Sequence, residues 1–151
     1  MDINQFDVVA NAEKGFKLYF ENPYKLGEEL PIFMTILGAD SKVYKKAKRA
    51  QQLEILNENM GKQSKTTAAD LDRMEEDNIE ILTQLVIGLG ETEETKETKT
   101  KPSVKTDTDF MLDDGKEYKC TKRDVKHLLT KFPWMRDQVS MAVQKRANFL
   151  A

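Results

Sequence analysis

Between Glu91 and Thr108 the chain is built almost wholly of Glu, Thr, Lys and Asp, with Pro102 and Ser103 inside the run. Such a stretch cannot bury enough apolar surface to offset the entropy of ordering it. It reads as a flexible Thr/Glu/Lys-rich linker or long exposed loop, residues 91–108, and it confines the apolar core to what flanks it. Residues 1–90 then hold N-terminal strands plus two helices. Residues 109–151 hold a hairpin plus two helices, packed with the first part as one domain or standing apart from it. With 39% hydrophobic and 33% charged residues in 151, the chain lies on the polar side of globular but is long enough for one domain with a core.

In the first part, Phe16-Lys17-Leu18-Tyr19-Phe20 alternates as a strand should, and Glu21-Asn22-Pro23-Tyr24 supplies turn chemistry. Pro31 to Leu37 is rich in β-branched and aromatic side chains and is closed by Gly38, so the two runs read as a hairpin. Asp40 or Ser41 is placed to cap a helix whose Val43, Ala47, Ala50, Leu53, Leu56 and Met60 share one side, with Gly61 as its stop. After a polar turn at Lys62 to Thr67, capped by Thr67 or Asp70, a second helix is predicted to reach Ile87 and to end at Gly88-Leu89-Gly90. Its apolar positions are Leu71, Met74, Ile79, Leu82, Leu85 and Val86, denser toward the C-terminal half, which is the half expected to be buried.

In the second part, Asp113-Asp114-Gly115-Lys116 between Phe110-Leu112 and Tyr118-Cys120 reads as a hairpin turn. Thr121 with Asp124 three residues on resembles a capping box, and Val125, Leu128, Leu129 and Phe132 form one compact apolar face behind it. Pro133 suits the first turn of a last helix, because its missing N–H would be unpaired there. Met135, Val139, Ala142, Val143, Ala147 and Leu150 give that helix an apolar stripe. The expected class is α+β, mainly α, with an N-terminal β-hairpin, about four helices and a short second hairpin before the last two.

Catalytic signatures are missing. Gly88-Leu89-Gly90 lacks the third glycine and the βαβ context of a dinucleotide site, and there is no phosphate-binding loop. The single His127 has no nucleophile with an orienting acid near it in sequence, and the single Cys120 cannot join it to complete a zinc site. Asp70, Asp72, Glu75, Glu76, Asp77 and Glu80 do not follow calcium-loop spacing and read as a solvated helix face. No catalytic, metal or cofactor residue is expected, and the chain is not read as an enzyme. A net charge of −2 gives no whole-molecule reason to expect nucleic acid; the local exception is Lys42, Lys45, Lys46, Lys48 and Arg49, a basic face suited equally to an acidic protein. Six methionines, Met34, Met60, Met74, Met111, Met135 and Met141, fit core filling singly and a peptide-binding groove together. Met1 to Asp7 is acidic where a signal peptide is basic, and the longest apolar run falls far short of a bilayer span, so a soluble protein of a reducing cytoplasm is expected.

Leu112-Asp113-Asp114-Gly115-Lys116, the Thr121 helix, Phe132-Pro133-Trp134-Met135-Arg136-Asp137-Gln138-Val139 and the closing Arg146-Ala147-Asn148-Phe149-Leu150 follow one another in an order that resembles the tail assembly chaperones of long-tailed bacteriophages. Gly38, Asp40-Ser41, Tyr44 and Ala47 are similar to the same family's glycine, Asp-Ser pair and following helix, so that the likeness covers about half the chain. The long polar stretch 91–108 departs from the family's pattern. The resemblance implies a non-enzymatic protein of the infected bacterial host's cytoplasm that binds the tape measure protein, keeps it soluble during tail morphogenesis and is absent from the mature virion. It leaves the tail tube protein and a second copy of the chain as further partners, and no membrane. The residues expected to meet protein are Lys42, Lys45, Lys46 and Arg49, with Trp134, Arg136 and Phe149 in the closing block, where Pro133, Trp134 and Arg136 also hold the last helices together. The alternatives are a tail completion or connector protein that stays in the particle, and a small nucleic-acid-binding regulator.

Overall fold

The computed structural model describes residues 1–59 and 68–149. A 3-10 turn at Ile3–Phe6 leads into helix α1 (Val8–Lys14), whose first turn is capped by Asp7, its carboxylate accepting from the Ala10 N–H at 3.0 Å. Strands β1 (Phe16–Glu21) and β2 (Glu29–Ile36) form the expected N-terminal hairpin. Helices α2 (Lys42–Asn59) and α3 (Ala68–Leu85) follow, and β3 (Val86–Glu94) returns to pair antiparallel with β2. Strand β4 (Lys105–Asp107) completes a four-stranded sheet in the order β1-β2-β3-β4. A separate hairpin, β5 (Phe110–Asp113) and β6 (Lys116–Lys119), precedes α4 (Lys122–Lys131), α5 (Pro133–Gln144) and a closing 3-10 turn at Arg146–Phe149.

The α+β, mainly helical class holds. Cross-strand register sets Leu18, Met34 and Leu89 side by side on one face of the sheet. There they join Leu82 and Leu85 of α3, Met111 of β5, Leu128 and Leu129 of α4 and Val139 of α5 in a single core that draws on both sides of the polar stretch. On the opposite face Phe33 is buried beneath the Tyr19 ring, 5.6 Å away, with the Lys17 ammonium 4.1 Å above its own ring.

Three sequence expectations need correction. The helix predicted to reach Ile87 stops at Leu85, and Gly88-Leu89-Gly90 lies inside β3. Gly90 has a packing reason: a Cβ there would lie 1.9 Å from the Thr108 carbonyl oxygen, so only a bare backbone fits where the two segments cross. The polar stretch is also paired at both ends, Thr92 with Asp107 and Glu94 with Lys105, and closes through Thr95 and Val104 hydrogen bonds toward a turn at Thr98–Lys101. Side-chain hydrogen bonds hold it, Tyr19 to Thr92 at 2.9 Å and Thr92 to Asp107 at 2.7 Å, with Lys17 on the same carboxylate group. Apolar burial, the quantity the composition speaks to, is not what orders this hairpin.

The last helix is shorter than its stripe suggests. Met135, Val139, Ala142 and Val143 are buried, but α5 ends at Gln144 and Ala147 is exposed; Phe149 enters the core instead, edge-on to Phe16 at 6.0 Å. Met60, Gly61, Lys62 to Thr67 and Leu150 lie outside the described residues.

Candidate functional site

Ser41 starts α2 as a cap, its hydroxyl donating to the Gly38 carbonyl at 2.6 Å and accepting from the Tyr44 N–H at 3.3 Å. The C-terminal block fastens that start. Arg146 makes a two-pronged ion pair with Asp40 at 2.8 and 2.9 Å, Gln144 donates to the Tyr44 hydroxyl at 3.0 Å, and the Ala39 N–H donates to the Val143 carbonyl at 3.0 Å. The guanidinium holds the Asp40 carboxyl below its usual range, since it both hydrogen-bonds and charge-stabilises the ionised form.

From this root α2 and α3 run as a helical hairpin. Lys42, Lys45, Lys46 and Arg49 are all exposed and recur at i, i+3, i+4 and i+7, which puts them in one row along the outer side of α2. None of the four ammonium or guanidinium groups has a carboxylate within ion-pair distance among the described residues. Lys48 lies off the row and is partly covered. Between the helices, the small Ala47 and Ala50 leave a cleft of about 500 Å³ floored by Val43 and Ile81 and edged by Lys46, Glu54, Asp77 and Glu80.

Leu53 and Leu56 continue the lysine row by a further turn and more, and they do not pack into the core side where their spacing had placed them. With Ile55, Leu71 and Met74 they form the distal half of the hairpin, each between 37% and 62% exposed. The cause is length: the C-terminal half of α3 is covered by the core, Ile79, Leu82 and Leu85 all being buried, while its N-terminal half and the facing half of α2 extend past that cover. Five large apolar groups are thus left in water on one projection. The sequence signal was present in the unbroken row from Lys42 to Leu56.

The other three expected contact residues stand in packing roles. Trp134 sits between Phe20, edge-on at 5.9 Å, and Phe132 at 6.1 Å. Arg136 reaches from α5 to Glu75 of α3 at 2.8 Å with its side chain 19% exposed, and Phe149 is 4% exposed in the core. The structure therefore keeps the basic row as surface and assigns the closing block to positioning it.

Groups with latent chemistry are tied into structure. Cys120 is exposed as a residue, yet its sulfur lies 3.7 Å from the Val86 carbonyl oxygen and partial burial pushes the thiol up, away from thiolate reactivity. His127 stacks on Tyr118 at 4.6 Å and lies 3.5 Å from Asp113, whose carboxyl Lys131 holds below its usual range. The α3 carboxylates are spread along its surface, Glu75 on Arg136 and Glu80 on Lys126 at 3.2 Å. Among the described residues no group of three or more His, Cys, Asp or Glu is placed to hold a metal ion, and no helix is long and apolar enough to cross a membrane. No family model, no curated protein and no solved structure matches this chain.

Proposed function

We propose that this chain is a tail assembly chaperone of a long-tailed bacteriophage, acting in the cytoplasm of the infected host. It binds the tape measure protein, keeps that long helical client soluble while the tail is built, and leaves before the virion is complete. The resemblance of the Leu112–Lys116 turn, the Phe132–Val139 segment and the Arg146–Leu150 close supports the family. The observation that carries the activity is the solvent-exposed apolar half of the α2–α3 hairpin with charged groups at its edge. Such a surface suits a transient contact with amphipathic helices, in which apolar groups supply the energy and the charged rim selects the partner.

Co-expression with a candidate tape measure protein tests the reading. The client is expected in the soluble fraction and in complex with this chain, and in aggregates without it. A client equally insoluble in both cases sinks the proposal. Mass spectrometry of purified particles separates the chaperone from a tail completion or connector protein, since stoichiometric presence in the virion belongs to the latter.

A further inference from the structure

The outer row of α2 changes character along its length. Its first two turns carry Lys42, Lys45, Lys46 and Arg49, and its next turns carry Leu53 and Leu56, all exposed. Lys45 to Leu53 is eight positions and Lys46 to Leu56 is ten, so the centres of the two halves lie about 12–15 Å apart along the axis, while Arg49 and Leu53 adjoin within about 6 Å. The cations also sit at the wrong end of their own helix: α2 has no acidic residue in its first turn, and the positive end of the helix dipole adds to their mutual repulsion. A row of positive charge with no ion pair among the described residues, only Lys45 lying within electrostatic reach of a carboxylate, Asp40, and continuous with unburied leucines, is complementary to something negative and apolar in the same order.

We propose that the outer face of α2 is an acceptor for a client helix whose carboxylates and apolar side chains are segregated along its length. The carboxylates meet Lys42, Lys45, Lys46 and Arg49, and the apolar groups two to three turns away meet Leu53 and Leu56. The identity of that client rests on the chaperone reading; the acceptor face does not. A helix fits because the row follows the i, i+3/i+4 ridges against which another helix packs. Nucleic acid fits poorly, since half of the row offers nothing to phosphate and the neighbouring α3 presents Asp70, Asp72, Glu76 and Asp77. A second copy of α3 fits poorly too: its exposed Leu71 and Met74 are interspersed with Asp70, Asp72, Glu75 and Glu76 within the same turns, out of register with a row whose charge and apolar groups are separated.

The test uses the full chain and fluorescein-labelled synthetic helical peptides of about 20 residues. One carries a glutamate cluster eight to ten positions from a leucine cluster; a second has the same composition interspersed; a third replaces glutamate by lysine. Fluorescence anisotropy is expected to show binding of the segregated acidic peptide, weakened by salt and at least about tenfold weaker for the interspersed and lysine peptides. Lys42→Glu/Lys45→Glu/Lys46→Glu/Arg49→Glu is expected to reverse the preference toward the lysine peptide. Leu53→Ser/Leu56→Ser is expected to weaken both, with circular dichroism unchanged in each variant. Equal binding of all three peptides, or an unchanged preference after charge reversal, overturns the proposal. So does displacement of the acidic peptide by duplex DNA with retention of DNA binding dependent on the same lysines, or a self-association that the leucine variant dissolves and that excludes the peptide. The tape measure protein is then tested with both chains: capture by wild type and charge-reversed chain alike defeats the acceptor face and leaves the chaperone reading standing. Peptide selectivity without capture of the tape measure protein does the opposite.

Discussion

At the scale of single residues, Gly90 and Asp40 show how narrowly placed atoms carry this fold. Thr108 crosses β3 with its N–H donating to the Glu91 carbonyl at 2.8 Å and its hydroxyl accepting from the Glu91 N–H at 2.8 Å and donating to the Phe110 carbonyl at 3.0 Å. That stitch requires a bare backbone at Gly90, because the obstructing atom is a main-chain carbonyl and no rotamer change relieves it. Gly90→Ala is expected to cost about 2–3 kcal/mol of stability, read as a lower urea midpoint, through overpacking. Gly88→Ala, where the nearest atom is 3.4 Å away, is expected to cost less. Asp40 makes a prediction about pH. Its carboxyl is held below the ordinary value by Arg146, so the folded state favours the ionised form. The resulting stability is present above the unfolded-state value, about pH 4, and is lost as pH falls through the lower folded value. Arg146→Ala is therefore expected to leave a smaller difference in unfolding midpoint between about pH 5 and about pH 2 than the wild type shows. A difference of the same size in both proteins would remove Asp40 from the account.

At the scale of elements, what the sequence discloses depends on whether the forces are local. The β5–β6 turn is readable because Asp114 and Gly115 both take positive φ, 49° and 74°, the conformation that a two-residue hairpin of this type demands. α4 is readable because Thr121 accepts from the Asp124 N–H at 3.2 Å, although Asp124 turns to the Lys119 N–H at 3.0 Å and so leaves the capping box half-made. β3 is not readable: Val86 and Leu89 extend the apolar run of α3 without a break, and only the distant Thr108 explains Gly90. β4 is hidden for the converse reason, since its partners Lys17 and Thr92 are remote in sequence and polar. The candidate site was half legible. The lysine row was visible, but spacing alone assigns Leu53 and Leu56 to a core, and whether other elements cover a stripe is a tertiary fact. α2 itself offers a prediction that separates stability from binding. Lys42→Glu places an acid in its first turn and is expected to raise stability by about 0.5 kcal/mol while weakening capture of an acidic client helix. A thermal midpoint that falls with the substitution would contradict the picture of cations held against the dipole.

At the scale of the whole molecule, the architecture divides the labour between a core that makes one rigid root and a helical hairpin that outreaches it. Phe149 beside Gly38, Arg146 on Asp40 and Gln144 on Tyr44 show the C-terminal block spent on orienting α2 rather than on touching a partner. The division predicts that stability and client holding respond to different substitutions. Replacing Leu53 and Leu56 together by Ser alters exposed positions only, and the pair is expected to move stability by no more than about 1 kcal/mol, half the cost of a core truncation. The variant should keep its circular dichroism, lower its thermal midpoint by no more than about 4 °C, be at least as soluble alone, and fail to keep the tape measure protein out of the pellet. Val139→Ala empties space at a fully buried position and is expected to cost about 2 kcal/mol. Below its lowered midpoint it should hold the client as well as the wild type does, because the hairpin surface is untouched. If the serine variant instead melts with the valine variant, the distal leucines belong to a core after all, and the surface on which the chaperone reading leans is lost with them.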